Sequence, residues 1–146
     1  MPHRKALALR GISPERWDGR DGTPGAADLI RKALTTSDDH EALATMANSG
    51  GGIYRLGPAM SSVILAACRP DRFTVADSRA LSTLRALGRT PPGPPGFRIN
   101  DWPPYLDACQ ILAPQGGLSL RQVDRALWAG ASDPRIAHAD RPDLLR

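Results

Sequence analysis

The chain has 146 residues, the size of one domain, and 41% of them are hydrophobic, enough for one modest core. Valine and isoleucine together number 10 against 38 alanines and leucines. That scarcity of strand formers excludes an all-β sandwich or barrel and favours an all-α fold, a small multi-helix globule.

Glycine and proline, fourteen each, make up about a fifth of the chain, so the helices should be short and the turns frequent. Seventeen arginines and two lysines against thirteen aspartates and two glutamates leave a net charge of +4. This balance suits a phosphate-rich partner, because the guanidinium fork donates in pairs. The alternative is a compositional preference for arginine that says nothing about a partner. No apolar run approaches the ~20 residues of a membrane span, and MPHRKALALRG lacks the apolar stretch of a signal peptide. The expectation is therefore a cytoplasmic protein with no membrane contact. Cys68 and Cys109 are too few for a four-cysteine metal site and are expected to be buried free thiols. His3, His40 and His138 show no ligand spacing, so no metal site and no cofactor are expected.

In chain order, WDGRDGTPG marks residues 1–24 as a loosely packed arm. A domain of helices should then occupy residues 25–130. The first helix is expected over residues 26–34, with Leu29, Ile30, Ala33 and Leu34 as its apolar stripe. A second, over residues 38–47, opens with Ser37 as N-cap and stops at Asn48-Ser49-Gly50-Gly51-Gly52. Pro58 sits at a first helical position, ahead of a helix over residues 59–68. That helix is apolar on nearly every side and so is expected in the middle of the domain.

After Pro70, Asp77 is a natural N-cap for a helix over residues 78–87, closed by Gly88. TPPGPPG, residues 90–96, reads as a stiff, unpaired loop. A helix then starts at Trp102 and carries Leu106, Cys109, Ile111 and Leu112 before Pro114. Ser119 and Gln122 form a capping box for the next helix, whose face of Leu120, Val123, Leu127 and Trp128 runs to Gly130. Trp128 is expected in the core. Residues 131–146 form a polar tail.

Two neighbouring features bear on chemistry. A glycine turn feeds a helix N-terminus, where backbone amides and the helix dipole together favour a phosphate, and an aspartate opens the next helix. Ile53-Tyr54-Arg55-Leu56-Gly57-Pro58-Ala59-Met60-Ser61, then Ser62-Val63-Ile64-Leu65, then Pro70-Asp71-Arg72-Phe73-Thr74-Val75-Ala76-Asp77 resembles the helix-hairpin-helix DNA glycosylases. That superfamily includes the endonuclease III, MutY and 8-oxoguanine glycosylase types. The resemblance spans residues 42–87 and implies a helix-hairpin-helix element that binds duplex DNA.

In that resemblance Asp77 falls on the catalytic aspartate, which stabilises an oxocarbenium-like sugar while an N-glycosidic bond breaks. Sugar chemistry of this kind calls on carboxylates in glycoside hydrolysis too. The target base would be flipped out of the duplex. The DNA-binding positions would be Arg55, Gly57, Pro58, Ala59, Met60, Ser61 and Arg79. Ala59 occupies the position of the lysine that makes some members lyases, so an active protein would be monofunctional. Arg55 replaces the first hairpin glycine, and the iron–sulfur ligands are absent.

The resemblance thus implies a base-excision hydrolase. A non-catalytic helix-hairpin-helix DNA-binding module, with Asp77 serving only as a helix cap, and a helical protein-interaction domain stand as alternatives. Base or lesion and oligomeric state are not encoded in any motif.

Overall fold

A computed structural model describes residues 24–53 and 55–136. Among these residues all regular structure is helical: α1 (Ala26–Thr35), α2 (Asp39–Met46), α3 (Pro58–Cys68), α4 (Ser78–Ala86), α5 (Trp102–Gly116) and α6 (Leu120–Gly130). Single 3-10 turns at Asn48–Gly50 and Ile99–Asp101 complete it. None of the described helices is long and apolar enough to cross a membrane. The arm before Pro24 and the tail beyond Ile136 lie outside the described residues.

Local chemistry sets most helix ends. α2 is capped by Asp38, whose carboxylate accepts the Glu41 amide at 2.9 Å. Ser37, the expected cap, is one residue too early, and a carboxylate also answers the helix dipole better than a hydroxyl. In α6, Ser119 and Gln122 form the expected reciprocal capping box. α4 ends at Ala86, and Gly88 supplies the left-handed residue just past it, at φ 68°. α5 runs through Pro114 to Gly116 rather than stopping before the proline. Proline removes one amide there, in the last turn, where the helix has little left to lose.

The turn after α2 lies hard against that helix. A Cβ on Gly50 would strike the Ala44 carbonyl and one on Gly52 the Thr45 and Met46 carbonyls, so both positions require glycine. The Asn48 amide donates to the Leu56 carbonyl at 2.7 Å and the Ile53 amide to the Met46 carbonyl at 2.8 Å, which closes the connection on itself.

The core joins Leu43 and Met46 of α2, Leu65 of α3, Leu81 and Leu84 of α4, and Leu127 of α6 to an aromatic group. Phe73 and Tyr105 flank the Trp102 ring at centroid distances of 6.4 and 6.2 Å, and Phe97 meets Tyr105 edge-on at 5.2 Å. Burying each such ring contributes on the order of 2–3 kcal/mol. α4 packs along α6, and α1 along α2.

Three expectations about burial and one about pairing are corrected. Only Ser61, Ser62 and Leu65 of α3 are buried, while Met60 and Val63 are exposed, so the helix lies on the surface. An even apolar pattern does not say which face turns inward. The two serines can go inside because their hydroxyls donate to the helix's own carbonyls, Ser61 to Gly57 at 2.9 Å and Ser62 to Ala59 at 2.6 Å. Trp128 is 49% exposed, and among the described residues Trp102 is the tryptophan that lies in the core. Cys68 is exposed at the end of α3, whereas Cys109 is buried. Finally, the 90–96 loop is not unpaired. Arg85 donates to the carbonyls of Pro91 and Pro94 at 3.2 and 2.9 Å and pairs with Asp101 at 3.1 Å.

Candidate functional site

The segment between α3 and α4 carries no regular structure, yet side chains from three helices hold it. Ser62 of α3 accepts the Ala76 amide at 2.7 Å. Tyr105 of α5 donates its hydroxyl to the Val75 carbonyl at 2.8 Å. Asp124 of α6 accepts the Val75 amide at 3.1 Å and the Thr74 hydroxyl. Residues 74–76 therefore arrive at Asp77 with their polar groups fixed from several directions, a preorganised approach to one carboxylate.

Asp77 itself caps α4. The amides of Arg79 and Ala80 donate to it at 2.7 and 3.3 Å, and both bonds fall on Oδ1. Among the described residues Oδ2 accepts no hydrogen bond. The carboxylate is half-buried and borders a cleft of about 580 Å³. Val75, Arg121, Asp124, Arg125 and Trp128 line the same cleft.

Burial also shapes the chemistry behind the cleft. Cys109 is pushed up to about 12, by desolvation first and by the Asp124 charge second. The Tyr105 phenol is raised well above its ordinary range, again chiefly by burial. Both groups keep their protons at neutral pH, so Tyr105 remains a donor to Val75. Asp124 is buried with its carboxylate shared among Thr74, Val75 and Arg121.

Residues 55–61 lead into and open α3. Arg55 adopts a positive φ of 61°, uncommon for a residue other than glycine. Gly57 is the N-cap of α3 and Pro58 its first residue, with no side chain capping the end. A Cβ on Gly57 would meet open space, and its φ of −77° suits any residue. Ala59 and Met60 are exposed. Ser61 is not available to a ligand: it is fully buried and its amide and hydroxyl both bond to the Gly57 carbonyl. Pro58 also lines a separate groove with His40, Ser49 and Arg98.

Arg79 stands beside the cleft. Its guanidinium lies 4.6 Å from the Trp128 ring centroid and donates to the Ser132 hydroxyl at 2.6 Å, so it holds Trp128 at the edge of the cleft. The cleft residues Arg121, Asp124 and Arg125 went unrecognised in the sequence. Their signal was the polar i, i+3, i+4 spacing on α6, in which Asp124 falls beside the buried Leu120 and Leu127 and the two arginines fall outside that apolar face. Among the described residues no three His, Cys, Asp or Glu side chains gather as a metal-binding group. No family model, curated protein or solved structure matches this chain.

Proposed function

We propose that this protein is a DNA glycosylase-like domain that binds duplex DNA through the 55–60 hairpin and hydrolyses an N-glycosidic bond with Asp77. The observation that carries the reading is the division of labour within one carboxylate. Oδ1 takes both capping amides, Oδ2 takes neither, and the residue borders the cleft. A residue that served only as a cap would not need a cleft in front of it.

In this reading the amides at the start of α3, together with the helix dipole, hold a backbone phosphate. The nucleotide rotates out of the duplex, and the half-exposed Trp128 offers its base an aromatic face. Oδ2 stabilises the positive charge that grows on the sugar as the bond to the base breaks. Water completes the hydrolysis, in line with the absence of a lysine at position 59.

The strongest observation for the second reading, a non-catalytic module of the same shape, is that Asp77 fully satisfies a cap. Fluorescence anisotropy separates the two. One duplex carries a cationic azasugar abasic analogue and the other is unmodified, each at two salt concentrations. Tighter binding to the analogue, lost in Asp77→Asn, is the expected result. Equal, salt-sensitive binding to both would leave the non-catalytic module, and no binding to either would remove DNA altogether.

A further inference from the structure

We infer that Arg125, with Arg121 one turn before it, is an anion clamp on the rim of the Asp77 cleft that takes the phosphate of the nucleotide held there. The inference rests on the glycosylase-like reading and names a binding residue that the hairpin does not provide.

α6 has two faces. Leu120, Val123 and Leu127 turn into the core. Arg121, Arg125 and Trp128 fall on the cleft side, at the i, i+4, i+7 spacing that stacks side chains along one helix face. Two charged groups of this cleft are already neutralised in part by each other: Arg121 pairs with the buried Asp124 through one nitrogen, while its side chain stays 57% exposed. Arg125 differs. It is exposed, and among the described residues no carboxylate or hydrogen-bond acceptor engages it.

The protein's more buried arginines show the contrast. Arg72 is committed to Asp39 and the Thr36 carbonyl, and Arg85 to Asp101 and two proline carbonyls. Those guanidinium groups serve the fold. Arg125 and the outer part of Arg121 serve nothing in the fold, yet they flank a concave surface. A planar fork of donors beside a cleft matches the oxygens of a phosphodiester, to which arginine donates in pairs. Two arginines one turn apart, roughly 6 Å along the helix, can grip one phosphate from two sides. Val75, Ala126, Trp128 and Ala129 form the apolar part of the lining, which suits the uncharged part of a nucleotide, and its two carboxylates are Asp77 and the Asp124 that Arg121 already pairs.

The test titrates a 2′-deoxynucleoside 5′-monophosphate and the matching nucleoside into the full chain, followed by the indole NMR signal of Trp128. The monophosphate should bind roughly tenfold or more tightly than the nucleoside, the value of one charge-assisted contact. Arg125→Gln should abolish that preference, Arg125→Lys should restore part of it, and Arg31→Gln, an exposed residue of α1 outside the cleft lining, should leave it intact. With the azasugar duplex, Arg125→Gln should lower the slope of log affinity against log salt by about one. Equal binding of monophosphate and nucleoside, or an unaltered preference in Arg125→Gln, would overturn the clamp. If that variant also kept its full preference for the azasugar duplex, the glycosylase-like reading would survive the loss of the clamp. If the monophosphate bound through Arg125 while no duplex bound, the clamp would stand and the DNA reading would fall.

Discussion

The Ser62 hydroxyl accepts the amide of Ala76 at 2.7 Å, which ties the surface helix α3 to the residue just before Asp77. The same hydroxyl donates to the Ala59 carbonyl at 2.6 Å, so one small side chain links the start of α3 to the approach of the carboxylate. The first turn of α3 and the approach to Asp77 are thereby joined through one side chain.

Ser62→Ala should leave the buried Ala76 amide without an acceptor. We expect a loss of about 1–3 kcal/mol, the usual cost of such an orphan. Urea unfolding followed by circular dichroism measures it, and a change below about 0.5 kcal/mol would mean that the Ser62 bond is replaced by water.

Substitutions of Asp77 should separate its two roles. Asparagine caps a helix about as well as aspartate, so Asp77→Asn should unfold at nearly the same urea concentration as the parent. Asp77→Ala should cost about 1 kcal/mol. Base release from the duplex substrate should be lost in both. Residual activity that tracked stability across the pair would place the role of Asp77 in the fold alone.

Arg55 holds φ at 61°, a conformation that glycine adopts freely and a β-branched residue resists. Arg55→Val should therefore destabilise the protein by on the order of 1–2 kcal/mol, whereas Arg55→Gly should be tolerated. Thermal unfolding of the two variants ranks them. If Val and Gly proved equal, the turn would not be held left-handed in solution.

Alkaline pH should weaken the fold. In the unfolded chain the Cys109 thiol ionises from its ordinary value of 9.0, while the buried thiol holds its proton to about 12. Between those limits the unfolded state binds fewer protons, so stability falls as pH rises, by at most about 1.4 kcal/mol per pH unit for each such group. Tyr105, raised in the same direction, adds to the loss above its own ordinary value. Urea midpoints at about pH 8 and about pH 10.5 should differ in this sense, and Cys109→Ala should flatten the lower part of the slope.

Signals that act within a few residues were legible in the sequence. The start of α1, the capping box of α6, the Asp77 cap and the left-handed Gly88 all rest on local backbone chemistry, and all are present. Burial was harder to read, because it is decided by partners distant in the chain. α3 has no apolar side to distinguish from a polar one, and its inward face was chosen by two serines that satisfy themselves. Trp128 sits one position round α6 from the Leu127 that enters the core. The cage at residues 74–76 depends on Ser62, Tyr105 and Asp124, from three separate helices, and no spacing in the sequence connects them. Of the candidate site, the Asp77 cap could be picked out from the chain, whereas the cleft lining could not.

The exposure of Cys68 has a practical side. It is the last residue of α3, about 15 Å along the helix axis from Pro58. The second described thiol is sealed in the core and resists ionisation. A maleimide dye should therefore attach at a single native position, with no engineered cysteine, one helix length from the end of α3 where DNA would dock. The unaltered chain thus carries its own labelling site, about three turns from the first amides of α3.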